Sequence, residues 1–151
     1  MTNTTDEQDI AVRAAVYEGV ISGGTIPTVD ALTRQLARSH SDVQESLERL
    51  ATAKALVLQR ESREVMMANP FSAVPTSFAV HMGDRLYFGN CIWDALGIAA
   101  MMQADARVES SCGCCSEAMS LVVENGELQP VGAVIHFAIP AARWWNDIVY
   151  N

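Results

Sequence analysis

In "NCIWDALGI", residues 90 to 98, a cysteine stands three residues before an aspartate. Asn90 is a good N-cap residue, which predicts a helix from Asn90 to about Met102 with Cys91 as its first helical residue. Free N–H groups and the positive dipole end of a helix N-terminus favour a thiolate and lower its pKa. Positions i and i+3 share a helix face, so Cys91 and Asp94 could meet one ligand. Sulfur would bind or attack a soft centre, and the carboxyl would move a proton. A plainer reading stands beside this one. Aspartate is common in a first turn for dipole reasons alone, and free cysteine is among the most buried residue types. Spacing alone does not separate the two.

Cys112, Cys114 and Cys115 lie together in "SCGCCSE". Thiols this close suit a soft metal such as mercury, copper(I) or zinc. They make only part of a four-cysteine zinc site, and Cys91 could be a fourth ligand if their loop folds over its helix. Alternatively, one cysteine packs under the sheet while the others face solvent. His136, in an apolar run, reads as a packing histidine, and His40 and His81 show no partner pattern. Trp144 and Trp145, beside Arg143, read as closing a core edge. There is no glycine-rich phosphate loop, serine nucleophile elbow or His-Glu zinc motif.

The elements that must position these residues fall into two groups. Ile10, Ala14, Tyr17 and Ile21 have helical spacing over residues 7 to 21, and "SGG" ends the pattern. Thr28 caps a second predicted helix carrying Val29, Leu32, Leu36 and Ala37. Ser41 and Gln44 form a capping-box pattern before Val43, Leu47 and Leu50. "ALVLQ" and "EVMMA" then read as a hairpin, which suggests a winged-helix-like three-helix module over residues 1 to 70. "ANPFSAVPTSF" is a connector. Beyond it, residues 71 to 151 read as an α+β domain with a mixed or antiparallel sheet. "SFAVH" and "RLYF" form a hairpin there, "ARVES" and "MSLVV" flank the thiols, "NG" turns, and "AVIHFAI" is a strand run stopped by Pro140. "AARWWNDI" reads as a short helix.

Half of the 151 residues are hydrophobic, enough for a packed core, and no apolar run has membrane-spanning length. The polar, acidic start "MTNTTDEQDI" lacks a signal-peptide pattern, so a reducing cytoplasm is expected, where clustered cysteines bind metals or react. Net charge is −8, and residues 1 to 70 carry seven basic against ten acidic side chains. The predicted third helix exposes Asp42, Glu45 and Glu48 against Arg49, which opposes nucleic-acid binding.

Taken in order, "NPFSAVPTSF", "YFGNCIWDALGI", "ARVESSCGCC" and "VIHFAIPAARWWNDIVY" resemble the organomercurial (alkylmercury) lyase family over nearly the whole chain. The Cys-x-x-Asp segment is the most specific element. The resemblance implies protonolysis of carbon–mercury bonds to hydrocarbon and Hg(II). Cys91 would be the mercury-binding thiolate, Asp94 the proton-handling carboxylate, and Cys112 a further, structural cysteine. It implies no required cofactor, Hg(II) as bound product, and a small thiol or a mercury reductase as acceptor. The family's second catalytic cysteine is expected just past "NDIVY", about where the chain ends at Asn151. Either the sequence is shortened there or the protein lacks this part, in which case Cys114 or Cys115 could supply the replacement thiol. Sheet strands missing there would leave an open edge, which predicts a homodimer. The competing reading is a non-catalytic protein binding Hg, Cu or Zn through Cys91 and the 112 to 115 thiols.

Overall fold

The computed structural model describes residues 4–149. Three helices come first: α1 (Thr4–Gly23), α2 (Val29–Leu36) and α3 (His40–Thr52). Thr28 caps α2 as predicted, its hydroxyl accepting from the Ala31 N–H at 3.2 Å. The cap of α3 is Ser39 rather than Ser41, with its hydroxyl accepting from the Asp42 N–H at 3.1 Å. Ser41 points instead to Glu45 on the exposed side. In α1 the predicted stripe is not the buried one. Ile10 is 64% exposed, and Val12, Ala15, Val16 and Val20 face inward. Apolar residues surround much of this helix, so contact with α2 and α3 selects the face.

These helices and a short antiparallel sheet enclose a first core of Val12, Val16, Leu32, Val43, Leu47 and Leu56. The sheet has the order β1 (Val57–Leu58), β2 (Val65–Ala68), β3 (Phe71–Ser72). Arg49 of α3 turns back to Asp9 of α1, its Nη2 donating to Oδ1 at 2.8 Å. Asp9 also accepts from Ser46 at 2.6 Å, so the only cation along this stretch of α3 is engaged within the fold.

A second sheet has the order β5-β4-β6-β7-β8, from β4 (Ala79–Met82), β5 (Arg85–Phe88), β6 (Ala106–Ser111), β7 (Ala118–Glu124) and β8 (Glu127–Leu128). Every pairing is antiparallel. Helix α4 (Ile92–Met102) lies against β4 and β6. Its Ile98 joins Val80 and Val108 at 0% exposure, each burial contributing about 1.5–3 kcal/mol. Val20 of α1 enters this second core. Tyr17 of α1 donates to the Asn69 carbonyl at 2.9 Å, and Tyr87 of β5 donates to the Ile21 carbonyl at 3.1 Å. The α+β architecture is therefore helices packed beside antiparallel sheets.

The run 133 to 139 forms no strand. It is an exposed coil that finds no ladder partner, and His136 is solvent-exposed rather than packed in a core. His81 and His40 lie near carboxylates, Glu109 at 3.4 Å and Asp30 at 3.9 Å, and His81 Nε2 makes no hydrogen bond among the described residues. After the coil, Ala141–Asn146 form a 3-10 turn. Phe137 connects this segment to α4, its ring 6.4 Å from that of Trp93 and 5.0 Å from that of Trp144. Among the described residues no helix is long and apolar enough to cross a membrane.

Candidate functional site

Strand β5 delivers the first thiol. The ladder continues past Phe88, with the Gly89 N–H donating to the Phe78 carbonyl at 3.0 Å. Gly89 is required by contact. A Cβ there would lie 2.5 Å from the Ala95 amide nitrogen and 2.8 Å from its Cα. This absence of a side chain lets the strand end press on the first turn of α4.

The helix starts one residue later than the sequence predicted. Cys91 is its N-cap, with extended backbone (φ −146°, ψ −179°), and Ile92 is its first helical residue. Asn90 is not the cap: its side-chain carbonyl, the atom a cap would use, has no hydrogen-bond partner among the described residues, and its amide N–H groups point elsewhere. It donates to Asp94 Oδ2 at 3.0 Å and to Asn69 Oδ1 at 3.1 Å. Asn90 is thus the residue that sequence reasoning missed, although its i,i+4 spacing from Asp94 was a usable signal. For Asn69 the sequence held no such signal.

Cys91 and Asp94 are both half-buried. Burial pushes the Cys91 thiol up, and the Asp94 charge pushes it further. The backbone N–H groups of Asp94 and Trp93 oppose both. The expected lowering by the helix N-terminus is therefore outweighed, because taking the thiolate out of water costs more than the amides return. Burial likewise raises the Asp94 carboxyl, against the Asn90 amide and the Cys91 thiol, which pull it down. Both neighbouring acids thus bind their protons more tightly than they would in water.

The other three thiols sit at the β6–β7 hairpin. The loop is closed by the Cys112 N–H donating to the Glu117 carbonyl at 2.8 Å. A second bond runs from the Ser116 N–H to the Cys112 carbonyl at 2.9 Å. Ser116 takes the left-handed conformation (φ 60°) that turns the chain back. Cys112 is half-buried, and Cys114 and Cys115 are exposed. Their sulfurs all lie within 4.8 Å of one another, with Cys112 and Cys114 3.4 Å apart. Among the described residues this group closes at three; Cys91 is not in it. Cys112 is lowered to about 7, first by the backbone N–H of Cys114 and then by that of Cys115, with both neighbouring thiols adding to the effect. Cys114 is raised, chiefly by its contact with the Cys112 sulfur.

The two thiol positions are related through β4. Ala79 pairs with Phe88 of β5 on one side and with Glu109 of β6 on the other. Both neighbours are antiparallel to β4, so β5 and β6 run in one direction. Cys91 follows Phe88 by three residues, and Cys112 follows Glu109 by three. The two chains leave the same end of the sheet, separated by two inter-strand gaps, about 10 Å. Residues 150 and 151, next to which the resemblance places the second catalytic cysteine, lie outside the described residues.

Comparison with known proteins identifies the family and the fold. Residues 71–150 match the alkylmercury lyase family, MerB. Among solved structures, the fold resembles the mercury-bound form of MerB2, with a TM-score of 0.64 and 25% sequence identity. That likeness covers 82% of this chain and 59% of that one, so this chain spans less than two thirds of its length. No curated protein matches. The family match takes in more than half of the sequence, including Cys91, Asp94 and the hairpin thiols, and this chain belongs to the alkylmercury lyase family.

Proposed function

We propose that the protein cleaves carbon–mercury bonds by protonolysis, with Cys91 and Asp94 as the catalytic residues. The observation that carries this reading is the half-buried Cys91–Asp94 pair at the start of α4, both members raised in proton affinity, inside the segment that matches the family. An organomercurial cation R–Hg⁺ would bond to the Cys91 sulfur. The thiol proton released would pass to Asp94, whose raised pKa suits it to accept and then deliver. A second sulfur on mercury would load electron density onto the metal and make the carbon basic. The C–Hg bond would then break, its electron pair forming C–H with the Asp94 proton. Hydrocarbon would leave, and Hg(II) would stay on sulfur.

Where the protein continues past Asn151 with the family's second cysteine, that thiol would be the second sulfur; otherwise Cys114, Cys115 or a small thiol would supply it. No separate cofactor is needed on this reading, and a small thiol or a mercury reductase would take up Hg(II). Residues 1 to 70 would serve as a winged-helix-like module used structurally, ahead of a lyase-like domain at 71 to 151. Nucleic acid is a poor partner for it, because α3 exposes Asp42, Glu45 and Glu48 while Arg49 is held by Asp9. A homodimer in a reducing cytoplasm completes the proposal.

The test is incubation with phenylmercury and excess monothiol. Benzene release that is abolished by Cys91→Ser and by Asp94→Ala supports the lyase. Release that persists in both variants excludes these residues from the chemistry. Tight mercury binding by the parent chain with no benzene favours the alternative, a soft-metal (Hg, Cu or Zn) binding protein. The closeness of the three hairpin sulfurs motivates that second reading.

A further inference from the structure

The β6–β7 hairpin gathers three sulfurs for which the cleavage reaction has at most a single use. A metal–thiolate bond of about 2.3 Å places the sulfurs of a three-coordinate site roughly 4 Å apart. The spacings found, 3.4 Å for Cys112 and Cys114 and no more than 4.8 Å for any pair, bracket that value. Two backbone hydrogen bonds, Cys112 N–H to Glu117 and Ser116 N–H to Cys112, hold the loop in this form. Little ordering is therefore left for an arriving ion to impose. Cys114 and Cys115 are open to solvent, so the ion has access.

The donor set also selects the ion. Among the described residues no histidine, carboxylate or further cysteine joins the three sulfurs, which leaves zinc without its usual fourth protein ligand. An all-thiolate set favours a soft, thiophilic ion. Cys91 offers such an ion one sulfur; the hairpin offers three, pre-gathered, at the same end of the sheet. Once a first sulfur binds, the others act at high effective concentration, so the hairpin outcompetes the single thiol.

We propose that Cys112, Cys114 and Cys115 form a three-thiolate site of their own that draws Hg(II) off Cys91 and leaves that thiol free. That role in turnover rests on the lyase reading; the site itself does not. In the transfer the Hg–S bonds to Cys91 and to any second sulfur outside the hairpin break, and each electron pair remains on its sulfur. The hairpin ends with three Hg–S bonds. The protons released by its entering thiols go to Cys91 and to that departing sulfur, with any remainder to solvent and no change in oxidation state.

The experiment uses the full chain and mercuric chloride, without any organomercurial. One equivalent of Hg(II) is added. X-ray absorption then counts the sulfurs, and maleimide labelling with peptide mass spectrometry shows which thiols are blocked. The expected result is three sulfurs at one distance, with Cys91 labelled and the three hairpin cysteines protected. The same result is expected in Cys91→Ser. In the triple variant Cys112→Ser, Cys114→Ser, Cys115→Ser the protection moves to Cys91. Protection of Cys91 in the parent chain at one equivalent would overturn the proposal. So would a two-sulfur signal, or loss of hairpin protection in Cys91→Ser. Because no carbon–mercury bond is present, these outcomes stand apart from success or failure of benzene release.

Discussion

The side-chain amide of Asn90 donates to Asp94 Oδ2 at 3.0 Å, across the first turn of α4, while also donating to Asn69 on the connector. This contact lowers the carboxyl pKa against the upward push of burial. Asn90→Ala should therefore raise the Asp94 pKa further, so that the acid persists to higher pH. Carboxyl NMR titration measures this directly, and an unchanged or lower midpoint would count against it. Stability should fall by about 1–3 kcal/mol as the buried acceptors lose their donor, read by urea denaturation.

Asp94→Asn tests the cost of burying that carboxyl. Its folded pKa lies above the ordinary value of 3.8. The folded chain thus binds the proton more tightly than the unfolded one, and stability drops as pH rises between the two pKa values. Above the folded pKa the wild-type chain carries that penalty and the amide does not. Asp94→Asn should raise Tm at neutral pH, with the advantage disappearing below about pH 3.8. An advantage that grows on acidification would contradict the assignment.

The thiols should differ in reactivity in an order that exposure alone does not give. Cys112 is lowered to about 7 although it is less exposed than Cys114 and Cys115. Cys91 and Cys114 are raised instead. Iodoacetamide near neutral pH should modify Cys112 first and Cys91 slowly, with the Cys112 rate half-maximal at a pH of about 7. Peptide mass spectrometry over time resolves the order. Faster labelling of Cys91 would mean that the helix terminus prevails over burial after all.

Gly89→Ala places a methyl 2.5 Å from the backbone nitrogen of Ala95, where no side-chain rotation relieves the clash. The strand end or the helix must move, costing about 1–3 kcal/mol. The larger effect should be on the site, since Cys91 lies two residues on. Benzene release should fall by more than the loss of folded protein explains, as judged by circular dichroism on the same sample.

Much of the frame was legible in the sequence because local rules and tertiary packing agree there. Thr28 caps α2, and the turn expected at "MGD" does join two strands, with Met82 itself in β4 opposite Arg85 and Gly83–Asp84 forming the turn. Val43, Leu47 and Leu50 face inward as their spacing requires. The misreadings arise where two local solutions compete. Ser39 and Ser41 both precede a helical pattern, and the backbone turns at the earlier one. Asn90 and Cys91 could each begin α4, and the helix starts after Cys91, with the Asn90 carbonyl oxygen left without a partner among the described residues and its amide donating to Asp94 and Asn69. Ile10 lost to Val12 and Val16 because α1 is apolar on most sides. The run from Ala133 to Ile139 has strand composition, but strands need a neighbour, which composition does not supply. For the site, the residue types of Cys91 and Asp94 were readable. The direction of their proton affinities was not, since it depends on burial, a property of the whole fold.

Strand β4 contains no cysteine and no carboxylate, yet it acts as a ruler between the two sulfur positions. Its four residues set the phase of β5 on one side and β6 on the other. A two-residue slip in either pairing would keep every side chain on its face while sliding Cys91 past Cys112 by about 6.6 Å. Lengthening the Gly83–Asp84 turn is thus a way to retune the gap between the reaction centre and the hairpin without touching a single reacting atom.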